Sequence, residues 1–416
     1  MRLKWIMIIA LLCIGIVVRA QEATPGPNGL GDSFYPGLGN GGYDAQHYTL
    51  VLAWDDETNT LAGTATLEAL TTQALTTFNL DFLGFEIEAI TLNGQEANWR
   101  RVGRELTVKP TTPLSADETF TVAVTYSGVP GEGVISDGPS FAQGWMRHPN
   151  GVFVASEPAG ASRWFPANDH PLDKATYTFV ITVPERYIVA ANGLLQSTTA
   201  NDDGTQTFIW EAGDPMASYL ATVNIGDFVV QESEGPDGLP IRNYFPTRLA
   251  EQMIQAFATV PDMISFFSEI FGPYPFEAYG AVVADANLSF ALETQTISLF
   301  GRGVAVGRTG AETVIAHELA HQWFGNSVSL AQWKDIWLNE GFATYASMLW
   351  VEHRQGRRAM EGELNAYYDL ISDPTFTAGE FSPPGSPSAD ALFNGGVYLR
   401  GAWTLHALRL EVGDEA

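Results

Sequence analysis

The sequence predicts a multidomain α+β protein, with an N-terminal antiparallel β domain followed by a mainly helical domain. Three observations carry that reading. The chain has 416 residues, more than one hydrophobic core usually organises. Its hydrophobic period is two from about residue 40 to 232 and helical beyond about residue 240. With 45% hydrophobic and 12% aromatic residues, there is core material for both halves.

At the N terminus, Arg2 and Lys4 precede an apolar run from Trp5 to Val18, and Val18-Arg19-Ala20 offers small residues for cleavage before Gln21. Residues 1–20 are therefore expected to be a secretory signal, and 21–39 a flexible segment. The run is shorter than the roughly 20 residues a membrane span requires, so no integral membrane segment is expected once the signal is removed. The single cysteine, Cys13, would leave with the leader, so the exported chain would hold neither thiol nor disulfide. The formal charge is −27, and losing Arg2, Lys4 and Arg19 takes it to −30. With four lysines in all, such a chain would repel a phosphate backbone, which excludes nucleic acid as a partner. The expected location is secreted, periplasmic or extracellular, where the acidity serves solubility.

Residues 40–240 read as the β domain. In "TFTVAVTY", Phe120, Val122, Val124 and Tyr126 alternate with smaller residues, and in "TYTFVITV", Tyr177, Phe179, Ile181 and Val183 do the same. Turn signals such as Asn192-Gly193 and Asp203-Gly204 recur between such strands. The turn-rich "SEGPDGLP" marks the change of pattern and places the boundary near 240. Beyond it, "RLAEQMIQAFATVPDMISFFSEIFG" has helical spacing and stops at Gly272, and from there to 416 most segments read as helical. The Pro- and Ser-rich "FSPPGSPSAD" (381–390) is a loop, either a lid over a cleft or a surface connection.

The chemistry is concentrated in "HELAHQWFGN" (317–326). Thr309 and Glu312 have capping-box spacing ahead of an apolar-periodic run, which predicts a helix over 311–324. His317 and His321 then lie one turn apart on one face, where both imidazoles can reach one zinc ion at roughly 2.0–2.1 Å, with Glu318 beside the position of a bound water. Two histidines leave a catalytic zinc one protein ligand short. After eighteen intervening residues comes Glu340, in "WLNEGFATY", opening a second helical pattern that runs to about Gly356. Glu340 is either the third ligand or an acid favoured by the helix dipole. His47, His148, His170, His353 and His406 lack ligand spacing and read as structural or surface residues.

Together with Trp337, Leu338 and Phe342, this spacing resembles the zinc aminopeptidases of the aminopeptidase N family, gluzincins whose catalytic domain is thermolysin-like. The segments "YDAQHYTLVL" (43–52), "WFPANDHPLDKATY" (164–177), "MASYLATVNIGDF" (216–228), "ALETQT" (291–296) and "VYLRGA" (397–402) resemble segments of that family in the same order. The resemblance implies that 241–416 is a thermolysin-like zinc peptidase domain, and that a C-terminal helical domain found in other members is missing. It implies one zinc ion held by His317, His321 and Glu340, and a reaction in which zinc-bound water attacks a peptide carbonyl. Glu318 would be the general base and Tyr398, followed by Arg400 where the family has lysine, would stabilise the oxyanion. Glu293 and Glu157 would bind the free N-terminal ammonium of a peptide substrate. Asn339 would either orient a ligand histidine or serve the start of its helix. Phe290, Leu292 and Thr294 depart from the family's glycine, methionine and asparagine, which bears on the first side-chain pocket. An endopeptidase and a non-catalytic peptide-binding member of the same fold remain as alternative readings.

Overall fold

The computed structural model describes residues 22–131, 144–304, 308–373, 375 and 382–414. The expected signal at 1–20, with Cys13, lies outside the described residues, as do the Thr309 side chain and residue 381 of the expected loop. Among the described residues, no helix is long and apolar enough to cross a membrane.

The N-terminal half is built on an eight-stranded sheet whose order is 194–200, 205–217, 174–184, 43–55, 60–71, 119–128, 86–92 and 95–96. All its pairings are antiparallel except 174–184 with 43–55, which is parallel. The predicted alternation holds: Phe120, Val122, Val124 and Tyr126, and likewise Tyr177, Phe179, Ile181 and Val183, all point into the core. The same half holds two further sheets of four strands each. The Asn192-Gly193 turn does not close a hairpin, because strands 188–191 and 194–200 belong to different sheets.

The second half carries six helices among the described residues: α1 (Ala250–Ala256), α2 (Val260–Phe271), α3 (Arg308–Ala320), α4 (Trp337–Gln355), α5 (Arg357–Ser372) and α6 (Gly401–Val412). It also holds a four-stranded sheet in the order 228–234, 240–246, 279–284 and 298–301, which the helical reading of this half did not anticipate. Strand 279–284 is buried at every position, so no alternation of apolar and polar residues marks it. The sheet also moves the boundary. Position 240 falls in a hairpin, since Phe228–Glu234 pairs with Pro240–Pro246, and the change of architecture lies near Asp227. The predicted helix 311–324 runs instead from Arg308 to Ala320, so residue 309 lies inside it rather than capping it. Glu312 accepts a hydrogen bond from the Trp350 indole (3.3 Å). The second predicted helix ends as expected at Gly356, whose φ of 88° suits glycine.

From residue 22 on, the segment expected to be flexible, 21–39, makes defined contacts with the rest of the fold. Thr24–Pro25 pairs with strand 75–81, and Leu38 is buried. Asp32 is the knot: its Oδ1 accepts the N–H groups of Phe34 (2.7 Å) and Tyr35 (3.0 Å), and its Oδ2 accepts that of Trp333 (2.7 Å) and faces Nε2 of His170 at 3.2 Å. It thereby links the β domain to the stretch that enters α4. The Tyr35 hydroxyl donates to the Ala389 carbonyl (2.9 Å), which ties down the Pro- and Ser-rich loop. One hydrophobic core runs through the seam, joining Phe165, Tyr219 and Leu220 to Leu299, Trp333, Ile336 and Val397.

Burial opposes ionisation of Asp32, but His170 and the three N–H groups outweigh it and hold the carboxyl down to about 2. Its contribution to stability is therefore present above about pH 4 and lost as pH falls toward 2. Asp32→Asn is expected to remove about 1–2 kcal/mol at neutral pH and to flatten the acid limb between those values, measured by urea unfolding across pH.

Candidate metal centre

Local helix geometry places the first two donors. His317 lies in the last turn of α3 and His321 in the turn just after it, with the His321 N–H still donating to the His317 carbonyl (3.2 Å). Helices α3 and α4 pack antiparallel, because His317 meets Glu340 at one end of the contact while Glu312 meets Trp350 at the other. That packing carries Glu340, in the first turn of α4, to the histidines. His317 Nε2, His321 Nε2 and Glu340 Oε2 lie 3.0 to 3.3 Å from one another.

The outer ring nitrogens explain the aim of the inner ones. His321 Nδ1–H donates to the Phe324 carbonyl (3.0 Å), which leaves Nε2 with its lone pair directed at the cluster. His317 Nδ1 lies 3.5 Å from the Thr344 hydroxyl, one helical turn beyond Glu340 on the same face. Two nitrogen lone pairs and a carboxylate oxygen converging on one point repel one another unless a cation sits between them. Two imidazoles and one carboxylate form the donor set of a catalytic zinc site, which keeps an open fourth position. Asn339 does not orient either imidazole. Its side-chain oxygen and nitrogen are buried without hydrogen-bond partners among the described residues, and Phe324 and Thr344 take the orienting contacts instead.

Around this centre lies a cavity of about 430 Å³, lined by Glu157, Glu293, Glu318, Tyr398 and all three donor residues, with Phe290, Leu292 and Phe393 among the apolar walls. Glu157 follows strand 151–155 of the β domain, and Glu293 lies in the loop between strands 279–284 and 298–301. Each has one carboxylate oxygen, Oε1, buried with no hydrogen-bond partner among the described residues. Burial pushes Glu157 well above the usual carboxylate range, and Glu293, Glu340 and Glu318 add to the shift. Burial likewise raises Glu318, with Glu293 and Glu340 reinforcing it against His321. Glu340 goes the other way: burial opposes its charge, but His321 and His317 hold it down to about 2.

Tyr398 lies in a wide π-turn, 396–400, that leads into α6, with its ring 6.0 Å from that of His317 and nearly parallel to it. Burial keeps its hydroxyl protonated, raising it well above 10, so it is available as a donor. Two glycines make this approach possible. A Cβ on Gly341 of α4 would lie 3.1 Å from the Gly401 Cα, and one on Gly401 would lie 2.9 Å from the Gly341 Cα.

The structure thus brings together seven of the eight residues singled out from the sequence, and Asn339 packs behind them. Sequence reasoning missed Tyr219, whose hydroxyl bonds the Glu293 carboxylate, and Gln322 and Asn326, whose amides donate to the Glu293 carbonyl. The signals were there, since all three lie inside "MASYLATVNIGDF" or the histidine motif. Thr344 could have been found from its spacing to Glu340.

Comparison with known proteins agrees with this arrangement. The Peptidase M1 N-terminal domain model matches residues 44–220, and the Peptidase family M1 domain model matches residues 255–416. Aminopeptidase M1 of Arabidopsis thaliana is 33% identical over 203 residues, 46% of this chain and 23% of that protein. Aminopeptidase N of Oryctolagus cuniculus is 30% identical over 273 residues, 60% of this chain and 28% of that protein. The matched part of the chain thus spans only about a quarter of the length of these curated relatives. A solved M1 zinc metallopeptidase from Deinococcus radiodurans, a mutant bound to a Tyr-Ser-Ala substrate, is 32% identical with a TM-score of 0.83, covering 93% of this chain and 87% of that one.

Two outcomes follow from the geometry. Glu340→Ala is expected to lower zinc from about one ion per chain to well under a tenth, measured by elemental analysis after dialysis. Gly401→Ala forces α4 and α6 apart at a backbone contact and is expected to cost about 1–3 kcal/mol in denaturant unfolding, with zinc content retained.

Proposed function

Because the chain belongs to peptidase family M1, we propose that it is a zinc-dependent aminopeptidase that hydrolyses the N-terminal peptide bond of peptides. The observation that carries this reading is a pair of buried oxygens without a hydrogen-bond partner among the described residues, Glu157 Oε1 and Glu293 Oε1, in the same cavity as the three metal donors. A buried carboxyl oxygen withdrawn from water requires a proton or an outside donor, and a substrate ammonium supplies three N–H groups to share between two such acids. An endopeptidase has no use for that pair.

Zinc held by His317, His321 and Glu340 would supply Lewis-acid polarisation of the scissile carbonyl and acidify the attacking water. Glu157 and Glu293 grip the amino end, which fixes how far the first peptide bond reaches into the cavity. Glu318, adjacent in sequence to His317 and lining the same cavity, takes the proton from the attacking water and passes it to the departing amine. Burial raises its affinity for a proton, and with zinc at the neighbouring donors it would stay ionised until it takes that proton. The Tyr398 hydroxyl donates to the oxyanion that forms as the carbonyl becomes tetrahedral. Phe290, Leu292 and Phe393 give the cavity apolar walls where the first side chain would lie. We place the mature chain outside the cytoplasm on the strength of residues 1–20, and cleavage before Gln21 would be read by mass spectrometry of the exported protein.

The test is a panel of aminoacyl p-nitroanilides with free and N-acetylated amino termini. The free series should turn over and the acetylated series should not, and activity should vanish with a chelator and return with zinc. Comparable rates on both series would defeat the exopeptidase reading. Glu318→Gln is expected to lower kcat by about 10² to 10⁴, and Tyr398→Phe by about 10² to 10³, both without loss of zinc.

A further inference from the structure

The groups assigned to the substrate's amino end are held in place from the β domain. The Glu293 backbone carbonyl accepts from the side-chain amides of Gln322 (3.1 Å) and Asn326 (2.7 Å). Further along the same loop, the Gln295 carbonyl accepts from the Asn192 amide (2.7 Å), and the Thr296 hydroxyl accepts from the Gly193 N–H (2.8 Å). Thr296 itself has a φ of 66°, unusual for a β-branched residue, so this loop keeps its shape only while its hydrogen bonds hold it.

Asn326 is in turn pinned by Lys174. The Lys174 ammonium donates to the carbonyls of Asn326 (2.7 Å) and Ser327 (3.1 Å). Lys174 opens strand 174–184 of the β domain, within the "WFPANDHPLDKATY" segment to which the proposed chemistry gives no role. It does not line the cavity, and its side chain meets the site through the Asn326 turn. Backbone carbonyls bonded to an ammonium are charge-assisted contacts, stronger than neutral ones, and they hold the turn against the pull of solvent.

We infer that Lys174 is a positioning residue for recognition of the substrate's amino terminus, acting through Asn326 on Glu293. The inference rests on the aminopeptidase reading above. Removing the ammonium leaves the turn its own backbone bonds, Asn326 N–H to the His321 carbonyl (3.0 Å) and Ser327 N–H to the Gln322 carbonyl (3.1 Å), but cuts its tie to the β domain, so the Asn326 amide loses part of its aim and the Glu293 carboxylate shifts from the amino end. The loss falls on binding rather than on the chemical step, because the Glu318 and Tyr398 contacts are made elsewhere.

The experiment is steady-state kinetics with a free aminoacyl p-nitroanilide on the zinc-loaded wild type, Lys174→Met, Lys174→Arg, Glu293→Gln and the Lys174→Met/Glu293→Gln pair. Lys174→Met should raise KM about tenfold with kcat within about threefold, and zinc content should be unchanged. Lys174→Arg should recover most of the loss. In the Glu293→Gln background, Lys174→Met should add nothing, since both changes remove one interaction. An unchanged KM, a fall confined to kcat or to zinc content, or losses that multiply in the double variant overturn the inference. Equal wild-type turnover of free and acetylated substrates overturns the aminopeptidase reading instead. Equilibrium binding of L-leucinamide to zinc-loaded Glu318→Gln protein then decides about Lys174 without turnover: a Kd about tenfold weaker with Lys174→Met supports it, and an equal Kd overturns it.

Discussion

Four buried carboxylates, Glu157, Glu293, Glu318 and Glu340, share one cavity, and the repulsion among them governs the rest of the site. Burial resists the charge on each acid, and neighbouring carboxylates add to the resistance in Glu157, Glu293 and Glu318, against the opposing pull of His321 on Glu293 and Glu318. Glu340 alone is held ionised, because two imidazoles face it. Such a cluster is relieved either by taking up protons or by cations that enter it. A metal ion at His317, His321 and Glu340 and a substrate ammonium at Glu157 and Glu293 would answer the two ends of that demand, which is why metal and substrate belong to the same electrostatic problem.

The scaffold is arranged to keep these acids apart while aiming them at one space. The cavity lies on the seam: Ala155 and Glu157 come from the β domain, and the other wall residues come from the catalytic half. The halves share a core, and Asp32 ties the N-terminal segment to Trp333, just before the helix that supplies Glu340. On the far side, the absence of side chains at Gly341 and Gly401 lets α4 and α6 touch through their backbones, bringing Tyr398 over His317. Loss of any of these packing contacts would shift a charged group in a place where charge is costly.

Much of the fold was legible from periodicity, and the exceptions are places where no local pattern announces the structure. The long strands of the β domain alternate because one face is buried. Strand 279–284 is buried on both faces and so carries no period to read. The 21–39 segment looked flexible because no local pattern announces that Asp32 will find His170 and Trp333 across the fold. Asn339 looked like an orienting group because of its place beside Glu340, whereas the orienting contacts come from Phe324 and Thr344.

The sequence by itself determined the local chemistry. His317 and His321 fall on one face because they are four residues apart in a helix, Glu318 follows because it is their neighbour, and Glu340 opens the next helix. Family resemblance extended the list to Tyr398, Glu293 and Glu157. Tertiary structure alone decided that these residues meet, that one oxygen each of Glu157 and Glu293 has no hydrogen-bond partner among the described residues, and that Tyr219, Gln322 and Asn326 hold Glu293 in place. The reason is physical: spacing along a helix is set by the backbone, but contact between residues far apart in sequence is set by how helices and sheets pack, and no short stretch of sequence encodes that packing.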